Sequence, residues 1–110
     1  MSAFLTLKAR KAARLAALRN ALTTLRVSLA DYARAHGGRF LLFGSAARGD
    51  LRYDSDIDVL VDFPEDRLAA AWRFVEDECW RLGLEPDVLS FAWCKPGFLA
   101  HVAAEMVELR

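Results

Sequence analysis

The sequence predicts an α+β (α/β) domain in which helices pack a small β-sheet and one long helix leads the chain. Three observations predict it. Leucines recur every three or four residues through the first third of the chain, the period of a helix with one apolar stripe. Three short runs, RFLLFG, DIDVLVDF and DVLSF, are apolar or alternate strictly, and glycine, proline or acids bound them, as they bound strands. Two further segments of helical period lie between and after these runs, and a sheet buries such segments against its faces.

The leading helix runs from about residue 5 to His36, with Leu15, Leu18, Leu22, Leu25, Leu29 and Tyr32 on one stripe, and Gly37 and Gly38 end it. From Lys8 onward it spans roughly 42 Å at 1.5 Å per residue. A compact domain of this size is only about 34 Å across, so the helix should bend or project. A projecting stripe would suit a partner or a homo-oligomer; packing across the chain's own sheet explains the same leucines.

Arg39 to Gly44 reads as a buried strand cut off by glycine, and Ser45 to Asp50 as a short helix or turn. Asp56 to Phe63 is the second strand. Ile57, Val59, Val61 and Phe63 point one way, and Asp56, Asp58, Leu60 and Asp62 the other. After Pro64, Asp66 is a plausible N-cap for a helix carrying Leu68, Trp72, Val75, Cys79 and Leu82, which Gly83 stops. Asp87 to Phe91 is the third strand. Pro96 opens a last helix in which Phe98, Val102, Met106 and Leu109 share a face.

With 110 residues, 55% of them hydrophobic, the chain fits a single domain, a helical segment 1–38 on a core 39–110, and leaves no room for a second catalytic domain. No apolar run reaches the roughly 20 residues that cross a bilayer, so no membrane association is expected. The first 26 residues are basic and free of acid and resemble a transit peptide, but the leucine spacing continues beyond a short presequence, which favours a structural helix. Residues 1–39 hold eight Lys/Arg and one acid, and residues 40–110 hold seven and fourteen. The basic charges surround the helix without interleaved aromatics, so direct nucleic-acid binding is not expected. Cys79 and Cys94 lack CxxC spacing and read as reduced thiols of a cytoplasmic protein, and His36 and His101 stand alone.

Residues two apart on a strand face the same side, so Asp56 and Asp58 point together. Two unpaired carboxylates repel, and a hard cation such as Mg²⁺, held by carboxylates and substrate phosphates, relieves the repulsion. Asp87, at the start of the next strand, could supply a third arm. Gly44 and Ser45 sit at a strand-to-helix junction, where backbone N–H groups can hold a phosphate. Arg48, one turn on, could reach that phosphate or brace the loop through a carboxylate. Asp50, Asp54 and Asp62 read as a turn cap, a surface charge and a strand-end acid.

Gly44-Ser45, ten intervening residues, then Asp56-Ile57-Asp58 and a hydrophobic strand resembles the signature of the nucleotidyltransferase superfamily that includes DNA polymerase β. More closely, GSAARGDLRYDSDIDVLVDF resembles the minimal, MntA-like nucleotidyltransferases, antitoxins paired with HEPN-domain toxins. The likeness covers about residues 39–109. The resemblance implies the nucleotidyltransferase fold with a mixed sheet. It implies Gly44 and Ser45 on the nucleotide triphosphate, with Arg48 beside them on phosphate or bracing the loop, and Asp56, Asp58 and Asp87 as the catalytic carboxylates holding two Mg²⁺ ions, with Glu85 a rival to Asp87. It further implies ATP as substrate and AMP transfer to a hydroxyl, a tyrosine of the HEPN toxin first. The alternatives are a small-molecule (antibiotic-type) nucleotidyltransferase and an antitoxin that neutralises its toxin by binding alone.

Overall fold

The computed structural model describes residues 6–110. Helix α1 (Leu7–His36) is 30 residues long. The Thr6 hydroxyl caps it, accepting the Ala9 N–H at 3.0 Å, and Gly37 closes it, donating its N–H to the Ala33 carbonyl at 3.0 Å. The expected start near residue 5 lies outside the described residues. The strand β1 (Arg39–Phe43), the short helix α2 (Gly44–Arg48) and the strand β2 (Ile57–Asp62) follow. Then come helix α3 (Glu65–Arg81), strand β3 (Pro86–Ser90), a 3-10 turn (Phe91–Trp93), helix α4 (Pro96–Val102) and strand β4 (Val107–Leu109).

The four strands form one sheet in the order β3-β2-β1-β4. β2 and β3 run parallel, while β1 is antiparallel to both β2 and β4, so the sheet is mixed. β3 is an edge strand, which lets it open on Pro86, since the missing N–H costs no ladder bond there.

The core lies between this sheet and the pair α1 and α3. Leu18, Leu22, Leu25 and Leu29 of α1 are buried against Phe40, Leu42, Ile57, Val59 and Val61, with Ala71, Val75 and Cys79 closing the layer from α3. Each buried leucine contributes roughly 1.5–3 kcal/mol. Tyr32, the last residue of the expected stripe, stacks between His36 and Phe74 at centroid distances of 4.1 and 4.2 Å. The leucines that could have formed an oligomer seam are therefore spent on the chain's own core. The helix also overhangs: the molecule measures 56 × 28 × 17 Å, and Leu7 in the first turn is 67% exposed.

β2 alternates as its sequence requires. Ile57, Val59 and Val61 enter the core, while Asp58 and Asp62 stay half-buried on the opposite face. Leu60 shares that opposite face yet is fully buried, and the 3-10 turn packs against β2. Close by, Phe98 of α4 meets Phe43 edge-on at 5.6 Å.

Two expectations fail. The last helix stops at Val102, and Val107–Leu109 form β4 instead of continuing the Phe98, Val102, Met106, Leu109 face. The outer edge of β1 offers unpaired N–H and C=O groups, and Phe40, Leu41 and Leu42 take Leu109, Glu108 and Val107 as partners. Glu108 then pairs with Arg39 at 2.6 Å, and Arg39 also binds Asp62 at 2.6 Å. Tertiary pairing outweighs a helical spacing only four apolar residues long. Asp66, expected as an N-cap, lies within the first turn of α3, which begins directly after Pro64 with no side-chain cap. With Glu65 it places negative charge at the positive end of the helix dipole.

Among the described residues no helix is long and apolar enough to cross a membrane. Cys79 and Cys94 are free thiols. Burial pushes the Cys79 thiol up to about 12, which makes it inert packing.

Candidate active site

The antiparallel pairing of β1 and β2 sets Phe43 opposite Asp58, so the first residue after β1, Gly44, arrives beside the Asp58 carboxylate. Gly44 has φ +67°, and a Cβ there would collide with Asp58 Oδ2. Only glycine allows both the left-handed backbone and that approach. α2 then runs five residues and closes on Gly49, whose N–H donates to the Ser45 carbonyl at 3.0 Å. Ser45 is half-buried in its first turn.

On the other side of Asp58, the parallel β2–β3 register sets Asp87 directly opposite it, and their side chains are close enough to share a hydrogen bond. Burial, the charge of Asp87, that hydrogen bond and the charge of Asp56 together push the Asp58 carboxyl up to about 6, against a weaker opposing pull from Arg48. A carboxyl near 6 with a second carboxylate on it lacks a positive charge.

Asp56 stands near enough for its charge to raise Asp58, but at the edge of the sheet. β2 begins at Ile57, so Asp56 precedes the ladder and is exposed. Among the described residues no three His, Cys, Asp or Glu side chains stand together as a preformed metal cluster. The donor set fits a hard divalent cation: oxygen ligands only, two of them side by side, the inner one starved of countercharge. Glu85, the rival to Asp87, precedes β3; its carbonyl accepts the Ile57 N–H at 2.8 Å, which gives it a backbone role at the start of the ladder.

Arg48 braces the loop. It donates to Asp50 at 3.2 Å and to Glu105 at 3.0 Å, and both contacts hold its guanidinium pKa above the ordinary value. Glu105 also accepts the Gly44 N–H at 3.0 Å. Its carboxyl lies below the usual range, first because of Arg48 and then because of the Gly44 N–H. Sequence reasoning missed Glu105 entirely, because it placed that segment on a helix whose polar side faces solvent. Asp62 behaves as expected of a strand-end acid through Arg39, and Asp54 is exposed.

The site therefore joins a glycine turn presenting an N–H, an arginine and a pair of carboxylates within one strand junction. Residues 24–103 match the family model described as a nucleotidyltransferase domain, a span that begins inside α1. The chain is 38% identical over 69 residues to the protein adenylyltransferase MntA of Thermococcus cleftensis, which covers 60% of this chain and 68% of that protein. A solved minimal nucleotidyltransferase shares 29% identity at a TM-score of 0.67, over 81% of this chain and 93% of the other. A crystal structure of a toxin-antitoxin with AMP-PNP is similar in fold, with a TM-score of 0.54 at 19% identity over 84% of this chain and 72% of that one.

Proposed function

The chain belongs to the nucleotidyltransferase domain family and is a nucleotidyltransferase of the minimal, MntA-like kind; on that premise we propose that it moves AMP from ATP to a hydroxyl on a partner protein. The observation that supports this best is the contact between Gly44 and Asp58. It brings a phosphate-binding turn and a metal-binding carboxylate within one side chain of each other, as a reaction at a metal-bound triphosphate requires.

In this reading the Gly44 N–H, Ser45 and Arg48 hold the triphosphate. Asp58 and Asp87, joined by Asp56, would hold Mg²⁺, two ions in the two-metal form of this chemistry. The cation, when bound, lowers the pKa of an acceptor hydroxyl and offsets the charge of the phosphates. Asp87 accepts the hydroxyl proton on a carboxylate oxygen. The hydroxyl oxygen forms its bond to the α-phosphorus in line with the departing group, the bond to pyrophosphate breaks, and the Gly44 N–H and Arg48 offset the charge that grows on the leaving oxygens.

A relative named as a protein adenylyltransferase supports a protein acceptor. The resemblance to antitoxins makes a tyrosine of a HEPN-domain toxin the leading one. Co-expression with the product of the adjacent gene, followed by intact mass spectrometry, tests this. Added AMP on the partner is the expected result. Protection from toxicity without any adduct would assign the chain to the class of antitoxins that act by binding, and an adduct only on small molecules would assign it to the antibiotic-type transferases.

A further inference from the structure

Glu105 sits where the substrate should. Its Oε1 accepts the Gly44 N–H at 3.0 Å and its Oε2 accepts Arg48 Nη1 at 3.0 Å. One planar anion thus spans both donors assigned to the triphosphate, as two oxygens of a phosphate would. A backbone N–H has one proton to give, so carboxylate and phosphate exclude each other at Gly44. Glu105 is held for this place by its backbone: its N–H and that of Met106 both donate to the Val102 carbonyl at 3.1 Å, closing the turn between α4 and β4. The side chain itself is a quarter exposed, so it can leave by rotation alone without disturbing that turn.

We propose that Glu105 is an autoinhibitory residue of the nucleotide site, a built-in rival anion that the triphosphate must displace and that returns as pyrophosphate leaves. The inference rests on the reading that Gly44 and Arg48 hold the triphosphate. Two consequences follow. The cost of displacing the carboxylate is the same for every ligand that takes the Gly44 N–H, so the rival weakens triphosphate and pyrophosphate alike and speeds the return of the empty site. A bound triphosphate also repels the displaced carboxylate, which keeps it outward until the pyrophosphate departs.

A strut that merely braces the loop and a rival anion predict opposite signs. Removing a strut loosens the donors and weakens binding; removing a rival strengthens it. Calorimetric titration of ATP with Mg²⁺, and of pyrophosphate with Mg²⁺, into wild type, Glu105→Ala, Glu105→Gln and Arg48→Ala separates them. Expected are affinities for both ligands about tenfold tighter in Glu105→Ala, a smaller gain in Glu105→Gln, which keeps an acceptor but loses the charge, and weaker binding in Arg48→Ala. In the transfer reaction Glu105→Ala should lower KM for ATP with kcat within about twofold, the split expected of a change in ground-state binding. Unchanged or weaker ATP binding in folded Glu105→Ala and Glu105→Gln, with Arg48→Ala still impaired, would overturn the inference and leave the phosphate site standing. Wild-type affinity in Arg48→Ala would overturn both. If Glu105→Ala does not fold, Glu105→Gln decides by the same sign, with the Gly44 amide resonance reporting whether its hydrogen bond has been exchanged for phosphate.

Discussion

Asp58 and Asp87 face each other across the parallel β2–β3 ladder, their carboxyl groups within hydrogen-bonding reach. Burial is the larger reason that Asp58 titrates near 6, and Asp87 is the next. Replacing Asp87 by Asn should therefore lower the Asp58 pKa from about 6 without returning it to 3.8, because burial remains. Carboxyl carbon NMR of Asp58 across a pH titration checks this, and an unmoved value would mean that the two side chains do not interact.

The same shift has a stability sign. A carboxyl whose folded pKa lies above its unfolded one binds more protons when folded, so stability is lost as pH rises from about 4 through about 6. Asp58→Asn removes that loss. Without divalent metal at pH 8 it should be more stable than wild type by about 1 kcal/mol, discounted for the half-exposed carboxyl, or about 4–8 °C in Tm. At pH 4 the difference should vanish. Thermal melts at the two pH values measure it.

Divalent cation should act through the same pair. Mg²⁺ at pH 8 should raise the Tm of wild type in proportion to the logarithm of its concentration. The rise should shrink below pH 6, where Asp58 takes up a proton, and should be absent in Asp58→Asn and Asp87→Asn. Chelation should return wild type to its metal-free Tm.

Gly44→Ala puts a Cβ into the Asp58 carboxylate at a positive φ and should cost about 2–4 kcal/mol. Gly49 has φ +81° but nothing within 4 Å of its added Cβ, so Gly49→Ala should cost only the backbone penalty of about 1–2 kcal/mol. Urea denaturation of the two variants compares them, and equal costs would deny the close approach of Gly44 to Asp58.

Much of this was legible in the sequence because local rules and tertiary structure agree. The α1 stripe packs where a period of three to four residues puts it, and strict alternation in β2 separates Asp58 from Ile57, Val59 and Val61. β4 was hidden because Val107-Glu108-Leu109 is three residues long, and its pairing depends on an open edge of β1 that no local pattern shows. Glu105 was hidden for the same reason, since its meaning lies in Gly44 and Arg48, some 60 residues earlier. Asp58 and Asp87 could each be picked out by a motif or a strand start. That they stand in register, with Asp56 outside the ladder, is a fact of sheet order alone.

In the proposed mechanism everything turns on the carboxylate pair beside the Gly44 turn, which carries out nucleotidyl transfer. Intact mass spectrometry of the partner protein, co-expressed with wild type or with Asp58→Asn of confirmed fold, tests it most directly. An AMP adduct is expected with wild type and none with Asp58→Asn, which keeps the shape of the side chain and removes its charge. Equal adduct formation by the folded Asp58→Asn chain would contradict it.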